Sequence, residues 1–283
     1  MVRPALEAVA LQPGTLAIGD LHLDLAVDAD AERFAAWLDS LEAPRLVILG
    51  DLFEYWIGPA HARTSAGRTV LASLRRAVDR GVAVDVIPGN RDFLLDEAFS
   101  AASGARLRRD GLLGTSGTAR VLFVHGDELC TLDRGYQRLR RVLRSRALTW
   151  LAPRLPRSVA ERVARRLRRA SRSAVAAKPR AEKEQQADAC RALAAREGAD
   201  VLVCGHAHRF RDEAFEGLRW LVVDAFGGKR DTLVWQGEGR FVATRHDGAA
   251  GPPESVAPGT PQDQVERGDR EDPGAAAPAE GSA

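Results

Sequence analysis

The chain has 283 residues, of which 45% are hydrophobic and 28% charged, a composition that suits a globular protein with a full hydrophobic core. It contains no run of 18 or more apolar residues, so the sequence predicts no membrane-spanning helix. Residues 1–14 lack the basic and apolar regions of a secretory signal, and we expect none. The three cysteines favour a reducing cytosol over a disulfide framework.

The net charge of +2 conceals a strong asymmetry along the chain. Residues 134–180 contain 16 Lys and Arg and a single acid, whereas residues 247–283 contain eight acids and two Arg. This distribution excludes a uniformly basic nucleic-acid-binding surface but allows a local segment that faces anions. The acidic end is rich in Pro, Gly and Ala, and we predict that 247–283 is a disordered tail after one domain at 1–246.

Short apolar runs alternate with helical patterns in the first half of the chain. Strands are predicted at 16–18, 46–49 and 82–87, and helices at 29–41 and 65–80. Such alternation is typical of βαβ units, so we expect an α/β fold with a largely parallel sheet.

The second half of the chain contains a basic insert, defined here as about residues 133–180, for which we predict two or three helices broken near Pro153 and Pro156. The other predicted elements are strands at 120–124 and 201–203, a helix at 181–196 and a three-stranded meander within 213–244.

Five of the predicted strands end in a short turn that carries metal-binding side chains. The turns read Gly19-Asp20-Leu21-His22, Gly50-Asp51, Gly89-Asn90-Arg91-Asp92, His125-Gly126-Asp127 and Gly205-His206-Ala207-His208. A single Gly-Asp turn is usually structural, but sites in α/β sheets form outside the carboxyl ends of strands, so we expect these five turns to meet. His61 and His246 fall outside this pattern, and we predict that both lie on the surface.

The candidate metal ligands combine oxygen and nitrogen donors without a thiolate: Asp20, His22, Asp51, Asn90, His125, His206 and His208. Such a set suits Mn²⁺, Zn²⁺ or Fe²⁺ better than Ca²⁺ or a structural zinc. Seven ligands are too many for one four-coordinate ion, but they suit two ions about 3.5–4 Å apart that share a carboxylate. The residues therefore predict a two-metal hydrolase that acts on phosphate esters.

In this order the five turns resemble the motifs of the calcineurin-like metallophosphoesterases. Three longer segments, 49–58, 89–95 and 125–133, resemble the branch of that family that hydrolyses UDP-2,3-diacylglucosamine in lipid A synthesis. The resemblance covers about residues 15–245. It implies an α/β sandwich of two β-sheets flanked by helices, with the basic insert as a helical lid.

The resemblance also implies roles for individual residues. One metal would bind Asp20, His22, Asp51 and His208, and the other Asp51, Asn90, His125 and His206. The implied catalytic residues are Asp51, Asn90, Arg91 and His125, and the implied substrate contacts are Asn90, Arg91, Asp133, Ser171, Lys178 and His206. Arg91 stands where many members have His, and its guanidinium can hold a pyrophosphate through two oxygens. The implied cofactor is a pair of divalent ions, Mn²⁺.

The implied reaction is hydrolysis of the pyrophosphate of UDP-2,3-diacylglucosamine to UMP and 2,3-diacylglucosamine 1-phosphate. The chain departs from that branch at Val175, where Asn is usual, and at 179–182, where Ile-Met-Asp-Val is usual. These departures favour a second hypothesis, a metallophosphoesterase for another nucleotide pyrophosphate or phosphodiester. A scaffold protein that has lost its chemistry is a third hypothesis, but every expected ligand type is present.

The insert itself admits three interpretations, because apolar residues recur among its arginines at helical spacing. Its apolar stripe could pack on the core beneath solvated helices, or it could form a lid over acyl chains that also contacts an anionic membrane. Nucleic-acid binding is a third interpretation, which the few aromatics do not favour. We expect the lid, a lipid-linked sugar nucleotide as substrate and a cytoplasmic protein peripherally associated with the inner membrane. The sequence indicates no oligomeric state.

Overall fold

A computed structural model of the chain describes residues 6–156, 159, 161–163, 166 and 178–247. Its strands are β1 (Ala8–Ala10), β2 (Leu16–Ile18), β3 (Arg45–Ile48), β4 (Ala83–Val86), β5 (Arg106–Leu107), β6 (Leu112–Ser116), β7 (Ala119–Val124), β8 (Val201–Cys204), β9 (Arg211–Phe215), β10 (Leu218–Val222), β11 (Thr232–Gly237) and β12 (Arg240–Thr244). Its helices are α1 (Asp28–Asp39), α2 (Pro59–Ala62), α3 (Ser65–Asp79), α4 (Glu97–Ser103), α5 (Arg134–Leu143), α6 (Arg146–Leu151), α7 (Arg180–Lys183) and α8 (Ala187–Glu197).

The strands form two mixed sheets of six strands each. The strand orders are β1-β6-β7-β8-β10-β9 in the first sheet and β12-β11-β2-β3-β4-β5 in the second. The strands that precede the five motif turns pair in parallel, as β2-β3-β4 in one sheet and β7-β8 in the other. Their carboxyl ends therefore point to one edge of each sheet.

Alternating side chains build three apolar layers around the sheets. In β2, Ala17 faces the layer between the two sheets, while Leu16 and Ile18 face the layer under the helices α1, α3 and α4. In β7, Phe123 faces the layer between the sheets and Leu122 faces α8. This period of two is what a strand that is buried on both faces requires. The predicted sandwich of two sheets flanked by helices is confirmed.

Several predicted elements need correction. The segment predicted as one meander contains four strands, and it is divided between the sheets: β9 and β10 pair in the first, β11 and β12 in the second. The predicted helix at 181–196 is two helices, α7 and α8, separated at residues 184–186. The predicted parallel pairing is confirmed for β2, β3, β4 and β5. Each sheet as a whole is mixed, because β6 pairs antiparallel with β7, β9 with β10, and β11 with both β2 and β12.

The prediction that two histidines lie on the surface is also corrected. His61 is buried, with its ring 4.9 Å from that of Tyr55. His246 is half-buried, with Nδ1 2.6 Å from Asp231 Oδ2 and its ring 4.3 Å from that of Phe226. Both imidazoles pack against aromatic side chains, which are near in sequence for His61 and distant for His246.

The insert begins with helices, as predicted, and α5 and α6 occupy its first part. Most of residues 157–177 and the predicted tail from 248 onward lie outside the described residues. Among the helices that are described, none combines the length and apolar character needed to cross a membrane.

Candidate metal centre

The five motif turns meet at the carboxyl edge of the sandwich, and one group of ligand atoms gathers there around Asp20. His208 Nε2 lies 3.3 Å from Asp20 Oδ1 and 3.1 Å from His22 Nε2. Asp20, His22 and His208 each offer a ligand atom, and the three atoms lie within 4.8 Å of one another. This trio can hold one divalent cation.

A second group gathers around Asp51 and His125. His125 Nε2 lies 3.0 Å from Asn90 Oδ1 and 3.8 Å from Asp51 Oδ1. The His206 ring centroid is 5.0 Å from that of His125, and the His206 amide donates to Asp20 Oδ2 at 2.7 Å. All seven predicted ligands are thus brought together.

The candidate ligands differ from most other residues in their backbone conformation. Seven non-glycine residues in the described part have positive φ, and five of them are predicted ligands: Asp20, His22, Asp51, His206 and His208. A left-handed conformation is uncommon for a residue with a Cβ and costs about 1–3 kcal/mol at such sites. The buried strands on both sides fix the turns in this conformation, which aims the ligand side chains at one point.

Two glycines allow the turns to approach one another. A Cβ on Gly89 would lie 2.1 Å from Asp51 Oδ1, and a Cβ on Gly205 would lie 2.7 Å from Asp20 Oδ2. Any side chain at either position would push a candidate ligand out of place.

Burial keeps two of the imidazoles neutral. It lowers the pKa of His22 to about 3, and the nearby charge of Arg91 adds to this effect. Burial also lowers the pKa of His206 to about 4, assisted by the charge of His125. Neutral imidazole is the form that binds a metal, so both rings are ready to act as ligands at pH 7.

The pKa values of the Asp20 and Asp51 carboxyl groups are shifted in opposite directions by their surroundings. Burial raises the pKa of Asp51 to about 7, and the neighbouring carboxylates of Asp92 and Asp20 add to the rise. Burial opposes ionisation of Asp20 as well, but the contact with His208 and the surrounding histidines lower its pKa to about 2. Asp20 and Asp51 each have a carboxylate oxygen within 4.8 Å of the other, so their ionised forms are stabilised by a positive charge between or beside them.

Unsatisfied atoms show that the residues present fit a divalent cation. Asp20 Oδ1 and His22 Nδ1 are buried and have no hydrogen-bond partner among the described residues. A buried polar atom without a partner costs about 1–3 kcal/mol. Coordination would satisfy both atoms and neutralise the carboxylates, and the nitrogen and oxygen donors match a first-row divalent ion.

Comparison with known proteins shows the family of this chain. The family model for calcineurin-like phosphoesterases matches residues 15–210. The chain belongs to the calcineurin-like phosphoesterase family. A UDP-2,3-diacylglucosamine hydrolase from Pseudomonas putida strain F1 is 37% identical over 77% of this chain and 89% of that protein. One from Azotobacter vinelandii is 40% identical over 69% of this chain and 81% of that protein.

Among solved structures, Yfce, a phosphoesterase from E. coli, aligns with a TM-score of 0.43 and 15% identity over 86% of this chain and 99% of that chain.

In this phosphoesterase Arg91 lies beside the candidate ligands. Its Nε is 3.4 Å from Asp51 Oδ2, and its Nη1 donates to Glu54 Oε1 at 2.8 Å. The carboxylates of Asp51 and Glu54 therefore hold the guanidinium in place. The side chain is also 30% exposed, so it remains accessible to solvent. It can therefore meet an anion that approaches the centre.

The predicted substrate contacts on the insert are only partly described. Lys178 Nζ donates to both carboxylate oxygens of Asp133, at 2.7 and 2.6 Å, so these two residues form one ion pair where the insert begins and ends. Asp133 also caps α5 by accepting from the Tyr136 amide. Ser171 lies outside the described residues.

Two further residues of the phosphoesterase hold the turns and were missed in the sequence. Asp92 is buried and accepts from the amides of Leu52 and Gly89, so it ties the second turn to the third. Gln185 is buried and donates to the carbonyl oxygens of Gly205 and Gly126, which ties the fourth turn to the fifth. The role of Asp92 could have been predicted from its place as an acid within a motif turn, whereas no local sequence pattern indicates a role for Gln185.

The close approach at Gly89 gives a test of the centre. The Gly89→Ala substitution should weaken Mn²⁺ binding at least about tenfold, because the new methyl group displaces the Asp51 carboxylate. Calorimetric titration with Mn²⁺ measures the effect. Gly135→Ala is the control, because a Cβ there meets no atom nearer than 3.7 Å. Equal Mn²⁺ affinity in the two variants would show that Asp51 is not a ligand.

Proposed function

We propose that the protein hydrolyses the pyrophosphate bond of UDP-2,3-diacylglucosamine, with UMP and 2,3-diacylglucosamine 1-phosphate as products. The observation that carries the proposal is the identity of 37–40% to hydrolases of that substrate, over more than four-fifths of their length. The ligand cluster at the sheet edge supports it, because pyrophosphate hydrolysis needs concentrated positive charge.

The proposed cofactor is a pair of Mn²⁺ ions, and the two ligand sets share Asp51. They are Asp20, His22, Asp51 and His208 on one side, and Asp51, Asn90, His125 and His206 on the other. Asp51 suits the shared position, because its carboxylate oxygens lie 3.9 Å from His22 Nδ1 and 3.8 Å from His125 Nε2. When bound, such a pair supplies activation of water and stabilisation of charge on phosphate oxygens.

Arg91 is proposed to bind the pyrophosphate. Glu54 fixes one edge of its guanidinium, so little side-chain entropy is lost when an anion binds. A planar guanidinium can donate to oxygens of both phosphates, which orients the scissile bond over the ligand cluster. Asn90 and His206, next to His125, are the other proposed phosphate contacts.

The insert is proposed to act as the lid of a single metallophosphoesterase domain that covers residues 1–246, with residues 247–283 as a disordered tail. The Asp133–Lys178 ion pair closes the insert at its base. With Ser171, these two residues are proposed contacts to the substrate. Lys178 can exchange part of its bond to Asp133 for a substrate oxygen, because an ammonium group has three donors.

The outer surface of the lid supports association with an anionic membrane. Of the eight large apolar side chains exposed in the described part of the chain, seven lie between Leu132 and Val163. Arginines are interspersed among them in the sequence, and each basic residue near an anionic surface contributes about 1 kcal/mol of binding. We therefore propose a cytoplasmic protein that binds the inner membrane peripherally, where its acylated substrate resides, and no nucleic acid.

The substrate can be tested directly. Purified protein loaded with Mn²⁺ should release UMP from UDP-2,3-diacylglucosamine without releasing inorganic phosphate, as measured by chromatography of the products. Asp51→Asn should abolish release while circular dichroism stays unchanged. Cleavage of soluble nucleotide pyrophosphates or phosphodiesters with no cleavage of the lipid-linked nucleotide would favour the alternative substrate class, for which the residues after Lys178 argue.

The role of Arg91 predicts a selective defect. Arg91→Ala should lower kcat/KM for the pyrophosphate substrate about 10- to 100-fold, the loss of one or two charge-assisted hydrogen bonds, and should lower it less for a simple aryl phosphate. Steady-state kinetics on both substrates measure the difference. Arg106→Ala, an exposed arginine on β5, is the control. Equal losses on both substrates would deny Arg91 a pyrophosphate contact.

The membrane proposal predicts that exposed apolar side chains on the lid contribute to binding of anionic vesicles. Val142 is 60% exposed on α5, and Val142→Ser should reduce co-sedimentation with vesicles of phosphatidylglycerol and phosphatidylethanolamine. The control is Val27→Ser, because Val27 is 42% exposed and lies outside the insert. High salt should also reduce binding. Equal binding of the two variants at low salt would contradict a membrane-facing lid.

A further inference from the structure

A buried carboxylate connects the first helix of the lid to the metal centre. Asp127 lies two residues after His125 and is fully buried. It accepts from Tyr136 Oη and from Arg140 Nε, both at 2.6 Å, and Arg144 Nη2 lies 3.7 Å from it. Tyr136, Arg140 and Arg144 follow one another at four-residue spacing, so they form one face of α5 and its C-terminal cap.

The same face of α5 reaches two further motif turns. Arg144 Nη2 donates to the carbonyl oxygens of Gly89 at 2.9 Å and Pro88 at 3.2 Å, directly before Asn90. The Tyr136 ring lies nearly parallel to that of His206, with centroids 6.3 Å apart. The helix therefore touches the turns that carry Asn90 and His125, and it touches His206 itself.

The other ligands are held without the lid. The His22 amide donates to the Asp51 carbonyl oxygen, and the Asp20 amide donates to that of Gly50. Within the described residues, no hydrogen bond, ion pair or ring contact joins α5 to Asp20, His22 or His208. The candidate centre thus has two parts. One part, with Asp20, His22 and His208, has no such contact with α5, and the other, with Asn90, His125 and His206, is contacted by α5.

We propose that α5 is part of the frame of one of the two metal positions, the one formed by Asn90, His125 and His206, with Arg144 and Tyr136 as positioning residues. The inference rests on the two-metal function proposed above. Arg144 bridges the turn before Asn90 and the turn after His125, so its removal takes away one of the contacts that set the distance between these two ligands. Contacts of this kind typically change metal affinity about 10- to 100-fold.

The test compares two arginines of the lid, one facing the centre and one facing solvent. Arg144→Met should bind one Mn²⁺ with wild-type affinity and the second at least about tenfold more weakly. Arg141→Met should bind both ions as the wild type does, because Arg141 is exposed and, within the described part of the chain, donates only to the Gln137 carbonyl oxygen. Calorimetric titration gives both affinities, and electron paramagnetic resonance shows whether the ions are coupled.

A more conservative variant tests the same proposal if Arg144→Met does not fold. Tyr136→Phe keeps the ring beside His206 and removes only the hydroxyl bond to Asp127, so it should weaken the second Mn²⁺ by a smaller factor and leave the first unchanged. Equal weakening of both ions in Arg144→Met, or no weakening in it, would overturn the inference. Wild-type protein that binds a single Mn²⁺ would instead contradict the two-metal function itself.

Discussion

The constraint on which this structure depends is the crowding of buried carboxylates at one edge of the sandwich. Asp20, Asp51, Asp92 and Asp127 are each at most 2% exposed. Asp92 is compensated by backbone amides, and Asp127 by the hydroxyl and guanidinium groups of α5. Among the described residues, Asp20 has histidines and one amide beside it, and Asp51 has histidines, one amide and the half-buried Arg91 guanidinium, an arrangement that a bound cation would complete.

The candidate ligands could be picked out from the sequence because each one belongs to a short local motif. A buried strand followed by Gly and a polar residue is visible in a few letters, and parallel pairing brings the ends of such strands together. The residues that hold the turns in place could not be predicted this way. Gln185 and Arg144 act on turns 20 and 55 residues away, through carbonyl oxygens that every residue possesses. Only the folded chain shows which carbonyl groups they reach.

The fold was predictable where strands and helices alternate and less so where strands follow one another. Periodicity indicates a strand but not the sheet to which it belongs, so β9 to β12 resemble one meander although the chain changes sheet between β10 and β11. Between them, the Phe226 amide donates to the Gly19 carbonyl oxygen, which brings the crossing next to the turn of Asp20. His246, anchored on Asp231, belongs to the same long-range packing.

The two faces of α5 are reversed relative to an ordinary helix of a soluble protein, which turns its apolar side inward. Here Tyr136, Arg140 and Arg144 point toward the metal turns, while Leu139 and Val142 are 40% and 60% exposed. The polar inner face is matched by the anionic Asp127 side chain and by the carbonyl oxygens of the Gly89 turn, and the exposed outer face would be better matched by an apolar medium than by water. The proposed acylated substrate at a membrane would supply that medium, and one helix would then contact both the lipid and the turns that carry the candidate ligands.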